Sequence, residues 1–286
     1  RVTPPGDPSV DPVFRTLPSD NVTDLAVDSE GTLWVATRPY LAWDQSACHE
    51  ADCLGSTAYW VLTGGGLAAH RDGAWRRWYP TSATDTACYD RTVTSLAADA
   101  DGRMWAGTQG HGVLLMRGFG QAWSCGSGQA YYVKPRGRPD PANPGLAGNV
   151  VLAVAVEQPS GRVWLSQGEG TDTALGLVVL DPRGTFDDSP GSPSWFDSDD
   201  VYTRIEIGDP PARDRRASAI TVAGGTPLVG TLDARNGDGD GVWQATADDA
   251  GGWRWRALRT ADRGLPSNHI TAVADEPGGD VTWFAT

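Results

Sequence analysis

Three observations predict an all-β fold assembled from repeated small sheets. The 286 residues include 36 glycines, 20 prolines and 13 tryptophans, a composition that suits many short strands joined by turns. One pattern returns along the chain: apolar alternation, an acidic residue, a glycine turn, then a tryptophan. No segment shows a 3.6-residue apolar stripe with caps, so helices are expected to be few.

The first repeat runs Asn21-Val-Thr-Asp-Leu-Ala-Val-Asp-Ser-Glu-Gly-Thr-Leu-Trp-Val-Ala-Thr37, and the second Thr92-Val-Thr-Ser-Leu-Ala-Ala-Asp-Ala-Asp-Gly-Arg-Met-Trp-Ala-Gly-Thr108. A third opens at Asn149-Val-Val-Leu-Ala-Val-Ala-Val-Glu157 and closes on Trp164. In the fourth, Ala219 to Thr231, Leu228 stands where the tryptophan belongs; the fifth runs from Asn268 to Thr286 around Trp283. The marker positions 34, 105, 164, 228 and 283 are 71, 59, 64 and 55 residues apart. Each step exceeds the ~40–45 residues of an ordinary propeller blade, so each repeat must carry insertions.

Each unit reads as four strands. Strand A is the Val22–Val27 type and Asp-Ser-Glu-Gly makes the A–B turn. Strand B carries the tryptophan. A glycine-rich turn leads to strand C, as in Gly64–His70 or Gly112–Leu115. Strand D is aromatic and basic, as in Trp75–Tyr79 and Trp253–Leu258. Such sheets repeated radially make a β-propeller, which buries its faces between blades. The expectation is one domain over residues 1–286, with repeats starting near 19, 89, 146, 216 and 266 and residues 1–18 supplying a closing strand. That gives four full repeats and a partial fifth. The chain is read either as part of a longer polypeptide or as a five-bladed ring in which Phe14–Leu17 and the last two strands share a blade.

Gly264-Leu-Pro-Ser-Asn268 leading into Ile270–Asp275 resembles the two-component regulator propeller repeat. Leu17-Pro-Ser-Asp-Asn21 with Leu33-Trp34 and Gly65-Gly-Leu67 is similar to the same repeat, and Leu146-Ala-Gly-Asn149 with Trp164 in part. The resemblance specifies a blade and no chemistry. It implies an exported propeller, either the periplasmic sensor region of a hybrid histidine kinase or a protein standing alone.

Composition narrows the functional classes. The net charge is −13, 30 of the 36 acids are Asp, and Lys134 is the only lysine beside 22 arginines. Aspartate suits turns. The charge argues against a phosphate-backbone partner and fits solubility or cationic ligands. No apolar run approaches the ~18 residues of a membrane helix. Cys48, Cys53, Cys88 and Cys125 lie outside the apolar runs and allow three pairings. Sequence proximity favours Cys48–Cys53 with Cys88–Cys125; zinc is the alternative use. Disulfides would place the chain in an oxidising compartment, periplasmic, outer-surface or extracellular. A start at Arg1 without a leader suits a mature export product.

Candidate binding residues concentrate in insertions. Residues 38–63 carry Tyr40, Trp43, His49, Tyr59 and Trp60 around the cysteine pair, and either stack on a sugar or peptide or extend a hairpin that packs on itself. The stretches 118–147 and 184–216 are the other long insertions. In the second, Asp187, Asp188, Asp197, Asp199 and Asp200 oppose Arg213, Arg215 and Arg216 in a solvated loop. Asn236, Asp238, Asp240 and Gly241 reproduce the start of a calcium loop without its bidentate glutamate, Ala247 standing in the twelfth place. The same segment also aligns with the turn Gln109-Gly-His-Gly112. His49, His70, His111 and His269 are scattered over the repeats, and the sequence holds no Gly-x-Ser-x-Gly, His-Glu-x-x-His or phosphate loop. His111 and His269 are the histidines that a channel mouth would hold. Trp34, Trp105, Trp164 and Trp283 recur at one position and read as inter-blade core. The outer-strand tryptophans with interleaved arginines read as cation–π surfaces. The expectation is a non-catalytic exported binding or protein-interaction scaffold, a subunit or accessory protein of an envelope assembly. The alternatives are a ligand-sensing module for a small ligand or glycan, or a propeller lyase or hydrolase with its site at the channel mouth.

Overall fold

The structure is a computed structural model that describes residues 17–43, 60–78, 92–116, 118–119, 130–133, 146, 148–168, 176–181, 201–208, 215–233, 239–249, 252–262, 264–276 and 281–286. Its first sheet opens with β1 (Val22–Val27) and β2 (Leu33–Thr37), where β-branched and aliphatic residues alternate across a turn at Asp28–Thr32. Strands β3 (Tyr40–Trp43) and β4 (Trp60–Thr63) then pair with each other as a separate hairpin. The sheet resumes with β5 (Gly66–Arg71) and β6 (Ala74–Trp78), in the order β1-β2-β5-β6. The insertion at 38–63 is therefore a hairpin extension at its base.

Three further four-stranded antiparallel sheets follow. The second contains β7 (Val93–Ala98), β8 (Met104–Thr108), β9 (Val113–Met116) and β10 (Ala130–Val133). The third contains β11 (Val151–Val156), β12 (Val163–Gln167), β13 (Leu177–Asp181) and β14 (Val201–Ile205). The fourth contains β15 (Arg215–Ala223), β16 (Thr226–Asp233), β17 (Val242–Ala247) and β18 (Trp253–Leu258). A two-stranded fifth unit, β19 (Ala272–Asp275) and β20 (Thr282–Ala285), follows a short 3-10 turn at Thr260–Asp262. This is a β-propeller, and strand A of blade one, strand C of blades one and two and strand D of blades one and four fall on the segments that the sequence marked. The stretches 118–147 and 184–216 are each divided by an outer strand, β10 and β14.

The core lies between blades. Trp34 is fully buried in one cluster with Val93, Leu96 and Met104 of the second blade. Trp105 clusters with Val151, Val154 and Val163 of the third, and Trp164 with Ile220, Val229 and Trp243 of the fourth. Leu228 occupies the tryptophan slot of blade four and meets Ile270, Val273 and Phe284 of the fifth unit. Burying such side chains is worth ~1.5–3 kcal/mol each, so every blade depends on its successor for a large part of its stability.

Each tryptophan brings a polar N–H into this core, and the acidic residue after strand A accepts it. Asp28 Oδ2 accepts from Trp34 Nε1 at 2.8 Å, Asp99 Oδ2 from Trp105 Nε1 at 3.1 Å and Glu157 Oε2 from Trp164 Nε1 at 3.1 Å. Blade four has Leu228, and its A–B turn is the bare Gly224-Gly225 pair with no acid. The acid and the indole are present together or absent together because one exists to satisfy the other. The outer tryptophans also join the core. Trp78 stacks on Trp34 with centroids 5.4 Å apart, and Trp253 meets Trp164 edge-on at 4.8 Å with the Arg162 guanidinium over its ring.

Candidate functional site

The innermost strands β1, β7, β11, β15 and β19 stand side by side and line a central channel of about 470 Å3. The wall has a repeated device. In each of the four full blades the A–B register slips early in strand A, after the first pair in blades one to three and after the third in blade four, leaving Thr23, Thr94, Leu152 and Ser218 as bulged residues. A bulge re-aims its side chain, and here it aims at the next blade. Thr23 Oγ1 donates to the Val93 carbonyl at 2.5 Å, Thr94 Oγ1 to Val151 at 2.6 Å and Ser218 Oγ to Ile270 at 2.5 Å. Leu152 has no hydroxyl, and Ser166 on β12 donates to the Ala217 carbonyl in its place. Ser166 stands at the position of Gly107 in blade two, where a Cβ would sit 2.9 Å from Thr94 Oγ1. The latch is thus supplied from strand A or from strand B, with space left accordingly.

Two carboxylates stand among the described residues of the wall, Asp24 and Asp275. Asp24 accepts the Leu96 N–H of the next blade at 2.7 Å and its neighbour Leu25 N–H at 2.8 Å. Burial pushes its carboxyl above the ordinary 3.8, and the Leu96, Leu25 and Ser95 hydrogen bonds offset only part of that. Ser95 in turn accepts the Val154 N–H at 3.1 Å. Asp275 accepts the Thr282 hydroxyl at 3.2 Å. Asp28, outside the channel, behaves in the opposite way. Burial pushes its carboxyl up, but hydrogen bonds from Trp34, Thr32 and Glu30 outweigh that and hold it below 3.8. Sequence reading missed Asp24. Its signal was a charged residue where the other repeats carry Ser95, Ala153, Ala219 and Ala272.

At one end of the channel the B–C turns latch onto the openings of the following blades. Thr108 and Thr231 donate their hydroxyls to the Gly112 and Gly241 carbonyls at 2.9 Å each. Gly112 N–H then donates to the Asn149 carbonyl at 2.7 Å and Gly241 N–H to Asn268 at 3.0 Å. The glycines are required: both have positive φ, and a Cβ on Gly241 would lie 2.2 Å from the Leu258 carbonyl oxygen. His111 and Asp240 occupy equivalent places in these turns, each donating its backbone N–H to the preceding threonine hydroxyl at 3.0 Å. Asp240 thus sits in a B–C turn like that of blade two. Asn236 and Asp238 lie outside the described residues, as do Tyr59 and the cysteines Cys48, Cys53, Cys88 and Cys125. Tyr40 begins β3, paired with Thr63; Trp43 ends it, paired with Trp60. His111 and the β3–β4 hairpin both belong to B–C connections, whereas His70 lies on β5 beside Trp75, 4.7 Å between ring centres. Among the described residues no group of three His, Cys, Asp or Glu side chains could hold a metal ion, and no helix is long and apolar enough to cross a membrane.

Residues 16–38 and 90–110 match the family model of the two-component regulator propeller, so the chain carries repeats of this type. These segments are the openings, A strands and B strands of blades one and two. No curated protein matches the sequence. Among solved structures, the extracellular domain of a B. thetaiotaomicron protein assigned to the hybrid two-component systems aligns at 14% identity with a TM-score of 0.55, over 95% of this chain and 28% of that one. PorZ, a surface component of the type-IX secretion system of Porphyromonas gingivalis, aligns at 15% identity with a TM-score of 0.44, over 95% of this chain and 39% of its own. The extracellular domain of a B. thetaiotaomicron one-component system aligns at 13% identity with a TM-score of 0.43, covering 95% and 38%. The chain therefore spans well under half the length of these proteins. At such identities the likeness is one of fold.

Proposed function

We propose that this chain is an exported propeller serving as a binding or protein-interaction scaffold in an envelope assembly. It would engage its partner through the B–C side, with the β3–β4 hairpin and the turn at His111 as contact elements. One observation carries the reading. The hydroxyls of Thr23, Thr94, Ser95 and Ser218 and the carboxylate of Asp24 are all engaged with neighbouring blades or their own backbone. The wall thus works as a structural seam, and recognition falls to the loops that vary between blades. Blade one alone replaces the four-residue turn of blade two with a 26-residue insertion built on a paired hairpin. Such loops on a rigid scaffold are where binding residues gather. An exported location accords with the extracellular domains among its structural relatives. The pairing of Cys48 with Cys53 would brace the hairpin tip, and calcium at Asn236, Asp238 and Asp240 would brace the blade-four turn.

The test replaces residues 38–63 by Gln-Gly-His, the turn of blade two, and follows both chains in intact envelopes with a photo-cross-linker at His111, which both retain. The scaffold reading expects one defined cross-linked protein partner and its loss in the shortened chain, with the fold intact by circular dichroism. Unchanged partnership after shortening would overturn it. Cross-links confined to a small ligand would favour the sensing alternative.

A further inference from the structure

The outer strands carry a charge opposite to that of the whole molecule. In a chain of net charge −13, β6, β14 and β18 hold Arg76, Arg77, Arg204, Arg254 and Arg256 and no acid. All five arginines are exposed. Each of these strands ends its sheet, so one side of its backbone pairs with its neighbour and the other meets no described strand. Such an edge accepts a further strand unless its side chains forbid one.

Strand β18 is the longest of the three, paired to β17 from Trp253↔Ala247 to Leu258↔Val242. Its alternation sorts two surfaces. Trp253 and Trp255 are half-buried against the core of Trp164 and Trp243, which anchors the strand. Arg254 and Arg256 lie on the other face, about 7 Å apart at two residues' rise. Their cross-strand neighbours are the neutral Thr246 and Gln244. Arg71, Arg103 and Arg162 each hold a carboxylate, whereas Arg254 and Arg256 form no ion pair or hydrogen bond with a described residue. Acids outnumber bases 36 to 23 in this chain, yet these two bases are left without one. Their exposure does not come from the two-stranded fifth unit. By register, Arg76 and Thr203 hold the place of Arg256 in blades one and three, and both are exposed with a four-stranded blade following.

We propose that the β18 edge takes an extended protein segment with acidic and apolar residues in alternation, added as a fifth strand of blade four. Its acids face Arg254 and Arg256, and its apolar side chains continue the face of Trp253 and Trp255. Backbone hydrogen bonds supply the affinity and the alternation supplies the selectivity. A second copy of β18 is disfavoured at this edge, because arginine would stand opposite arginine. A flexible polyanion would satisfy the charges but leave the backbone edge unpaired.

The probe is a fluorescein-labelled octapeptide of alternating glutamate and valine, titrated into the 286-residue chain and read by anisotropy. Amide hydrogen exchange locates the contact. Saturable binding is expected, with slowed exchange over residues 253–258. The alternating lysine–valine peptide should not bind. Nor should the glutamate peptide with proline at two central valines, which keeps the charge and loses strand donors. Arg254→Gln and Arg256→Gln each weaken binding about threefold, the worth of one cross-strand charge pair. Arg254→Glu combined with Arg256→Glu transfers binding to the lysine peptide. Both side chains are exposed, so circular dichroism of every variant should match the parent. No binding, protection confined to other strands, or an unchanged preference after charge reversal overturns the proposal. Equal binding of the proline peptide overturns strand addition in favour of a polyanion held by charge alone. The B–C turns are untouched throughout, so the outcome is independent of the hairpin's role.

Discussion

Removing the Asp28 carboxylate should cost far more than removing an ordinary turn residue, and it should do so through Trp34. Asp28→Ala strips acceptors from three donors: Trp34 Nε1 at 2.8 Å, Thr32 N–H at 2.9 Å and Glu30 N–H at 3.0 Å. Trp34 and Thr32 are fully buried, so water cannot replace the lost partner; Glu30 is exposed and rehydrates. Each buried donor left unpaired costs about 1–3 kcal/mol, giving about 4 kcal/mol for the two. At about 2 °C per kcal/mol for a domain of this size, Tm should fall by about 8 °C. The attribution is tested by a double-mutant cycle with Trp34→Leu, which places in blade one the residue that blade four uses at Leu228. In that background Asp28→Ala should lose only the Thr32 share, a coupling of about 1–3 kcal/mol. Urea unfolding followed by near-ultraviolet circular dichroism reads all four corners. A coupling below about 0.5 kcal/mol, within the additivity of independent sites, would refute the assignment of Asp28 as the indole acceptor.

The two perturbed carboxyls predict opposite pH dependences. Asp28 is held below 3.8 when folded, so its contribution is full above the unfolded value and is lost as pH falls through the folded one. Asp24 is raised above 3.8, so its contribution is present below the unfolded value and is lost as pH rises through the folded one. Denaturation of Asp24→Asn across that range should therefore show less loss of stability on raising pH than the parent; an identical profile would exclude the raised carboxyl. Ser166→Ala should cost about 1 kcal/mol by removing the substitute latch, and adding Leu152→Thr should recover part of it. No recovery in the thermal midpoint would separate the latch from the bulge. Gly241→Ala should be severe, since it combines a φ of 86° with a Cβ placed 2.2 Å from the Leu258 carbonyl oxygen. Gly31→Ala, at φ 77° with open space around it, should cost about 1 kcal/mol. Similar thermal midpoints for the two would count against the close approach.

The blades were readable from sequence because strand A alternates and the glycine turns recur, so β1 falls on Val22–Val27 as expected. Strands β10 and β14 were hidden for a physical reason. Ala130–Val133 is only four residues long and Val201–Ile205 carries Thr203 and Arg204, so each is a short outer strand set within a polar insertion. The seam of the channel was equally hidden, because a hydroxyl donating to the next blade joins residues 52 to 70 positions apart. Thr23, Thr94 and Ser218 read in sequence as the polar half of an alternation, and only the bulge turns them into latches.

Blade four shows that part of this packing is nevertheless written in one dimension. Where Leu228 replaces tryptophan, the acid that follows strand A in the first three blades is also gone, and the turn contracts to two glycines. A carboxylate kept only as a solvated turn former would have no reason to vanish with a buried indole on the next strand. One kept to accept the indole N–H would have become a buried charge without its partner, and its loss then stabilises the blade. The fifth unit extends the argument. Glu276 holds the acid position, its N–H donating to the Val281 carbonyl as Asp28 donates to Thr32, and Trp283 is present with it. Acid and indole therefore occur together in all four units that carry the marker tryptophan.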